Sequence, residues 1–316
     1  MPHPSEFDCV ICGTCVADIL VRPVPLSEPV GGGRLFHVDP IEATTGGIVC
    51  NSGIAMRRLG MRVAATSLVG ADPWGEFVRT RLTAEGIDAD GIESHPSLAT
   101  STTAVLIDPS GERSFAHHVG APHALDLAFI RRHTRLWSRA RVALVGYMGL
   151  LPALEPVLAE ALTTIRAGGG LVALETGGDG GALAAIAPAL EHVDLYVPSL
   201  DEAMHQTGLA DPREIIDCYR SHGAAGIVGV KLGSRGTLLS PGSGEFLEIP
   251  CVAAPGPVAD TTGAGDSLLA GLITGILRGM PLDQAGRLGA ATAACCVTGV
   301  GATAGLRSFE ETMRLM

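Results

Sequence analysis

Residues 259–267 read Ala-Asp-Thr-Thr-Gly-Ala-Gly-Asp-Ser and lead into the almost wholly apolar run 268–277. Gly263 and Gly265 permit a sharp turn and close backbone approach, and the apolar run predicts a buried helix that begins there. Ser267, Gly271, Gly275 and Gly279 recur every four residues, a stripe of small groups that lets the helix lie close against a neighbour. A glycine turn feeding a helix N-terminus offers free N–H groups and the positive end of the helix dipole, which together make an anion site. Asp266 stands in the first turn of that helix, where a second negative charge would repel an anion. It makes chemical sense if Asp266 takes a proton from an attacking hydroxyl while the backbone of Gly263, Ala264, Gly265 and Asp266 holds the developing phosphoryl charge. The bland alternative makes Asp260 and Asp266 ordinary helix caps; a string of this length with an apolar helix behind it is more specific than a lone Gly-x-Gly.

Composition removes competing chemistries. The chain has 316 residues, 47% of them apolar, which is ample for a buried core. Its formal net charge of −11 opposes nonspecific binding to nucleic acid or to an anionic membrane. Lys231 is the only lysine, and Leu232 follows it, so there is no phosphate-binding Gly-x-x-x-x-Gly-Lys-[Ser/Thr] loop. The His-Arg-Asp of protein kinases and the Gly-x-Ser-x-Gly elbow of serine hydrolases are also missing. The first residues lack a basic leader, and the apolar run 267–277 is too short to span a bilayer. A soluble, cytoplasmic protein is expected. Cys9-x-x-Cys12-x-x-Cys15 invites a metal reading, but on a strand Cys9 and Cys15 face one way and Cys12 the other.

The elements that must position these groups alternate. Strand-like runs at 9–16, 63–69, 142–145, 171–175, 195–197, 226–231 and 236–240 are separated by helix-like runs at 51–59, 76–85, 152–166, 201–207, 212–222, 264–278 and 283–298. This predicts an α/β fold, a doubly wound, mostly parallel sheet with helices on both faces, with ligands at the carboxyl ends of the strands. Two segments break the rhythm. Residues 22–45 carry four prolines and the triplet Gly31, Gly32, Gly33, while 103–108 and 113–118 flank the turn Pro109-Ser110-Gly111 and predict a hairpin. Together they predict a small sheet standing off the main one. His117 and His118 lie on the second hairpin strand, where adjacent residues face opposite ways.

These strings resemble the ribokinase, or PfkB, family of carbohydrate kinases over nearly the whole chain. The DTTGAGDS string carries the resemblance, together with Gly46-Gly47-Ile48-Val49-Cys50-Asn51, the 69–75 segment Val-Gly-Ala-Asp-Pro-Trp-Gly, and Lys231-Leu232-Gly233-Ser234-Arg235-Gly236. It implies one ribokinase-like domain over 1–316, with a β lid formed from about 15–45 and 98–120. It further implies transfer of a phosphoryl group from ATP to an alcohol, with Asp266 as base. Asp18, Gly46, Gly47, Asn51 and His118 would contact the substrate, and Lys231, Gly233, Gly236, Ser199, Glu202 and Gly301 the nucleotide. Glu202 would hold Mg²⁺ through water, and Asp260 a monovalent cation, K⁺. The lid often doubles as a homodimer surface in this family.

The sequence departs from the family in places. Ser199 stands where the family usually has Asn before the Glu, Ile48 where ribokinases often have Lys, and Gly289-Ala290-Ala291 where an Asn often faces adenine. With no lysine to clamp a phosphorylated substrate, an uncharged sugar or a nucleoside is the expected partner. The alternatives are a nucleoside kinase of the same family and a non-catalytic sugar or nucleotide sensor on the same fold.

Overall fold

A computed structural model describes residues 5–27, 31–178 and 180–316; Glu28, Pro29 and Val30 of the proline-rich segment lie outside the described residues. The strands are β1 (Phe7–Gly13), β2 (Val16–Val21), β3 (Glu42–Gly46), β4 (Val63–Gly70), β5 (Asp88–His95), β6 (Ser101–Ile107) and β7 (Arg113–His118). They continue with β8 (Ala140–Gly146), β9 (Leu171–Glu175), β10 (Leu195–Tyr196), β11 (Ile227–Lys231), β12 (Thr237–Ser240) and β13 (Leu247–Ile249). Among the described residues they form a nine-stranded sheet, ordered β13-β12-β11-β10-β9-β8-β1-β4-β5, and a four-stranded sheet, ordered β3-β2-β6-β7.

The large sheet is parallel from β5 to β11 and antiparallel at β11–β12 and β12–β13. Every residue of the central β1 is buried, as a strand covered on both faces requires. Two cores lie against the sheet, and they separate the N-terminal cysteines: Cys9 and Cys15 belong to one and Cys12 to the other. Pairing aligns Gly13 with Gly146, and Gly146 with Glu175, so the carboxyl ends of β1, β8 and β9 finish level. That edge is the floor of the site.

The first expected strand, 9–16, is two strands. β1 ends at Gly13, and after Thr14 and Cys15 the chain enters the small sheet as β2. β5 carries polar and charged residues and was not among the expected strands; it lies at the edge of the large sheet, where one side needs no apolar cover. In the small sheet β2 pairs parallel with β6, while β2–β3 and β6–β7 are antiparallel. The hairpin is there, with strands at 101–107 and 113–118. Alternate residues of β6 are buried, and Leu20, Val105 and Ile107 form a small core of their own.

The helix Ala264–Leu277 packs along the helix Leu282–Cys296. Gly271 and Gly275 of the stripe sit at that contact: a methyl at Gly275 would lie 2.6 Å from Ala285 Cα, and one at Gly271 2.7 Å from Gly289 Cα, whereas Gly279 lies past the helix end with nothing within 4 Å. Any side chain there would force the pair apart. This close packing fixes the helix N-terminus, and with it the turn that carries Asp266. Among the described residues no helix is long and apolar enough to cross a membrane.

Candidate active site

Two cavities meet below the carboxyl ends of the strands. The larger, of about 720 Å³, is lined by Lys231, Gly233, Gly236, Ser199, Glu202 and the turn Gly263, Ala264, Gly265 and Asp266. The smaller, of about 190 Å³, is lined by Asp18, Gly46, Gly47 and Asn51, roofed by small-sheet residues Thr103, Arg113 and His117, and reaches Gly301. Tyr147 lines both.

The turn has the shape the glycines predict. Gly263 caps the helix at φ +75°, and a methyl on it would sit 2.5 Å from Ala302 Cβ. Among the described residues the amides of Gly263, Gly265 and Asp266 have no acceptor, while Ala264 N donates to Thr261 O at 3.2 Å. Three of the four expected anion-binding amides are therefore free, and Ala264 is tied back. Lys231 flanks the turn, its ammonium 3.3 Å from where a Gly265 methyl would be.

Asp266 is buried, 4% exposed. Its Oδ2 accepts from Asn51 Nδ2 at 2.8 Å and from the Tyr147 hydroxyl at 2.6 Å. Burial pushes its pKa above the usual carboxylate range, opposed by these two hydrogen bonds and by the Lys231 charge. Asn51 Oδ1 is buried without a partner. It lies on the wall of the small cavity, where an acceptor hydroxyl could satisfy it.

Asp18 comes from β2, and burial pushes it up to about 6, against a hydrogen bond from Thr103. The first glycine of the pair makes room for it: a methyl at Gly46 would lie 2.2 Å from Asp18 Oδ2. Thr103 Oγ1 also bonds His117 Nδ1 at 3.0 Å. Burial and the neighbouring His118 lower the basicity of His117. His117, not His118, lines the small cavity, because β7 turns alternate side chains away.

Lys231 Nζ donates to Glu175 Oε1 at 2.7 Å. Burial opposes its charge, but Glu175 and Glu202 outweigh that and hold the ammonium protonated. Ser199 and Glu202 form a reciprocal cap on the helix Leu200–Thr207: Ser199 N donates to Glu202 Oε2 at 2.6 Å, and Glu202 N to Ser199 Oγ at 3.3 Å. A helix cap occupies the serine. Glu175 Oε2 is buried without a partner beside the same cavity. Acidic oxygens of this kind fit a hydrated divalent cation.

Two expected site residues sit in surroundings the sequence did not indicate. Asp260, expected to hold a monovalent cation, has its side chain engaged within the protein. Its carboxylate is ion-paired with Arg113 and accepts from Thr262 N at 2.7 Å and Gly301 N at 2.5 Å. These partners hold it below the usual range against the pull of burial. Gly301 in turn lies on the small cavity and not the large one.

Sequence reasoning missed Tyr147, which follows β8, and Arg113, which begins β7. Apart from Ala290, it also missed the apolar wall of the large cavity, to which Val252, Ala254, Val258, Ala293 and Val297 contribute. For Tyr147 a signal existed: an aromatic residue directly after a buried parallel strand lies at the ligand edge of the sheet.

The arrangement is a pair of cavities at the strand ends, the larger beside the glycine turn with Lys231 and Glu202 and the smaller lined by Asp18 and Asn51. The pfkB family carbohydrate kinase profile matches residues 9–308, and the chain belongs to that family. It is a sugar kinase. It is 28% identical over 320 residues to a ribokinase of Haemophilus influenzae, covering 97% of each chain. It is 32% identical over 257 residues to a 1-phosphofructokinase of Rhodobacter capsulatus, covering 78% of this chain and 77% of that one. A ribokinase of Arabidopsis thaliana, solved with ribose and ATP, superposes with a TM-score of 0.82 at 22% identity over 98% of each chain. The architecture is ribokinase-like.

Proposed function

We propose that the protein transfers the γ-phosphoryl group of ATP to a hydroxyl of a small, uncharged sugar, with Asp266 as general base. The observation that carries this reading is the buried Asp266 carboxylate, set in a turn with free amides and bonded to two residues that line the acceptor-side cavity. The acceptor hydroxyl gives its proton to Asp266 as its oxygen forms the new bond to phosphorus. The bond from phosphorus to the bridging oxygen of ATP breaks, and ADP leaves with that electron pair. The amides of Gly263, Gly265 and Asp266, with the charge of Lys231, stabilise the transferring group.

The apolar wall around Ala290 and Val297 suits a purine, and the glycine turn suits the phosphates. Glu202 and Glu175 would hold Mg²⁺ through water; when bound, the ion neutralises phosphate charge. Asp18 and Asn51 Oδ1 would hold sugar hydroxyls, since a carboxylate accepts two hydroxyl protons and the amide oxygen accepts one. The charge of the small cavity supports a neutral acceptor. Arg113 is spent on Asp260, and His117 is disfavoured as a cation, so among the described lining residues none is a free positive charge for a phosphate or carboxylate.

The test is a panel of pentoses, hexoses, polyols and nucleosides incubated with ATP and Mg²⁺, with ADP release and product mass as readouts. At least one uncharged sugar should be phosphorylated, and Asp266→Asn should remove most turnover while retaining ATP binding. Turnover unaffected in Asp266→Asn, or acceptance of phosphorylated sugars alone, would overturn the reading.

A further inference from the structure

We propose that Tyr147 is a positioning residue for the transfer, its phenol fixing one oxygen of the Asp266 carboxylate so that the other faces the acceptor hydroxyl. The proposal rests on Asp266 serving as the base. Both donors, Tyr147 and Asn51, reach Oδ2, and Oδ1 carries no hydrogen bond among the described residues. A carboxylate held by one oxygen cannot rotate without breaking both bonds, so Oδ1 has a defined direction.

The chain is shaped to deliver this phenol. Tyr147 has φ +62°, the one non-glycine residue with positive φ among the described residues. A bulky side chain in the left-handed region is disfavoured, and such geometry persists where the surroundings enforce it, often at functional sites. Here the enforcement is visible. Tyr147 N donates to Glu175 O at 2.9 Å, which ties the residue to the end of β9. On its other side Gly177 leaves space for the ring, because a methyl there would meet Tyr147 Cδ1 at 2.6 Å. The ring is thus wedged between the two cavities with its hydroxyl toward Asp266.

A second effect follows from the same bond. Burial works against the ionised form of Asp266, and a base must be ionised to accept a proton. The groups that face it are Lys231 from β11, Glu175 from β9, Glu202 from the helix Leu200–Thr207, Cys296 from the helix Leu282–Cys296, and Tyr147 itself. Lys231 is shared with Glu175, and both glutamates oppose a further negative charge. The phenol O–H is the one neutral donor besides Asn51 that stabilises the carboxylate.

Tyr147→Phe retains the ring and removes only the O–H. Its acid limb in the pH profile of kcat/KM for the sugar should move upward by about one to two pH units. Below the limb the rate should fall by about tenfold or more and recover toward wild type at high pH, with KM for ATP little changed. Direct evidence comes from protein labelled with ¹³C at the aspartate carboxyls. The resonance lost in Asp266→Asn reports Asp266 without any substrate, and in Tyr147→Phe it should titrate at higher pH than in the wild type. Superimposable pH profiles, an unshifted resonance, or a faster Tyr147→Phe enzyme (the phenol then being a plug) would overturn the proposal. If Asp266→Asn remained active, the base assignment would fail by itself, whatever Tyr147→Phe did to the resonance.

Discussion

Replacing Lys231 with methionine tests whether the buried ammonium holds the site together. Lys231 is 8% exposed, and its Nζ lies 2.7 Å from a carboxylate oxygen of Glu175, itself 2% exposed. Methionine fills a similar volume, so the perturbation is almost purely one of charge. Removing one partner of a buried pair strands the other, at about 3–5 kcal/mol. Here the stranded Glu175 also faces Glu202 and Asp266, so the upper part of that range is expected at pH 8. For a chain of 316 residues this amounts to a fall in Tm of about 5–8 °C. Glu175→Gln in the same background removes the stranded charge and should restore more than half of the loss. Thermal melts and urea midpoints of the four proteins in the cycle give the coupling directly. A Lys231→Met loss below about 1 kcal/mol at pH 8, or a double variant less stable than Lys231→Met alone, would refute the claim that this pair acts as a buried ion pair.

Other perturbations probe the acceptor side. Gly46→Ala puts a methyl 2.2 Å from Asp18 Oδ2; KM for the sugar should rise at least tenfold while KM for ATP stays put, and equal changes in both would point to misfolding. Burial raises Asp18 to about 6 in the folded protein. The folded state then binds the proton more tightly than the unfolded chain, so this group favours folding at low pH and loses that contribution as pH rises through about 6. Asp18→Asn should accordingly be more stable than wild type at pH 8, by about 3 kcal/mol, with the gain nearly gone by pH 4, as measured by urea unfolding at both values. Because Arg113 occupies Asp260, exchanging potassium for sodium should leave the transfer rate unchanged; a strong preference for potassium would show that the guanidinium leaves.

Local chemistry was legible in the sequence and long-range partnership was not. The anion turn and its helix could be read because glycines, Asp266 and the apolar run are neighbours in the chain. The double glycine could be read for the same reason, although its purpose, space for Asp18, needed the β2–β3 pairing. The pairing of Asp260 could not be read because its partner, Arg113, is 147 positions away and nothing near either residue marks the other. Ser199 reads as a site residue from its place in the string, yet its hydroxyl closes a helix cap, a role its residue type also suits. β5 escaped because an edge strand can be polar, and β2 because the break after Gly13 lies between two strand-like apolar stretches separated only by Gly13 and Thr14. Tyr147 has no motif around it beyond its place directly after a buried strand; the level ends of β8 and β9 show which groups it faces.

The chain's single lysine is walled in beneath the glycine turn. The other permanently charged basic side chains are guanidinium groups, which lack an amine for acylating reagents to capture. Amine-directed dyes, crosslinkers and acetyl donors should therefore find their single ε-amino target only on the wall of the large cavity, shielded when that cavity is filled.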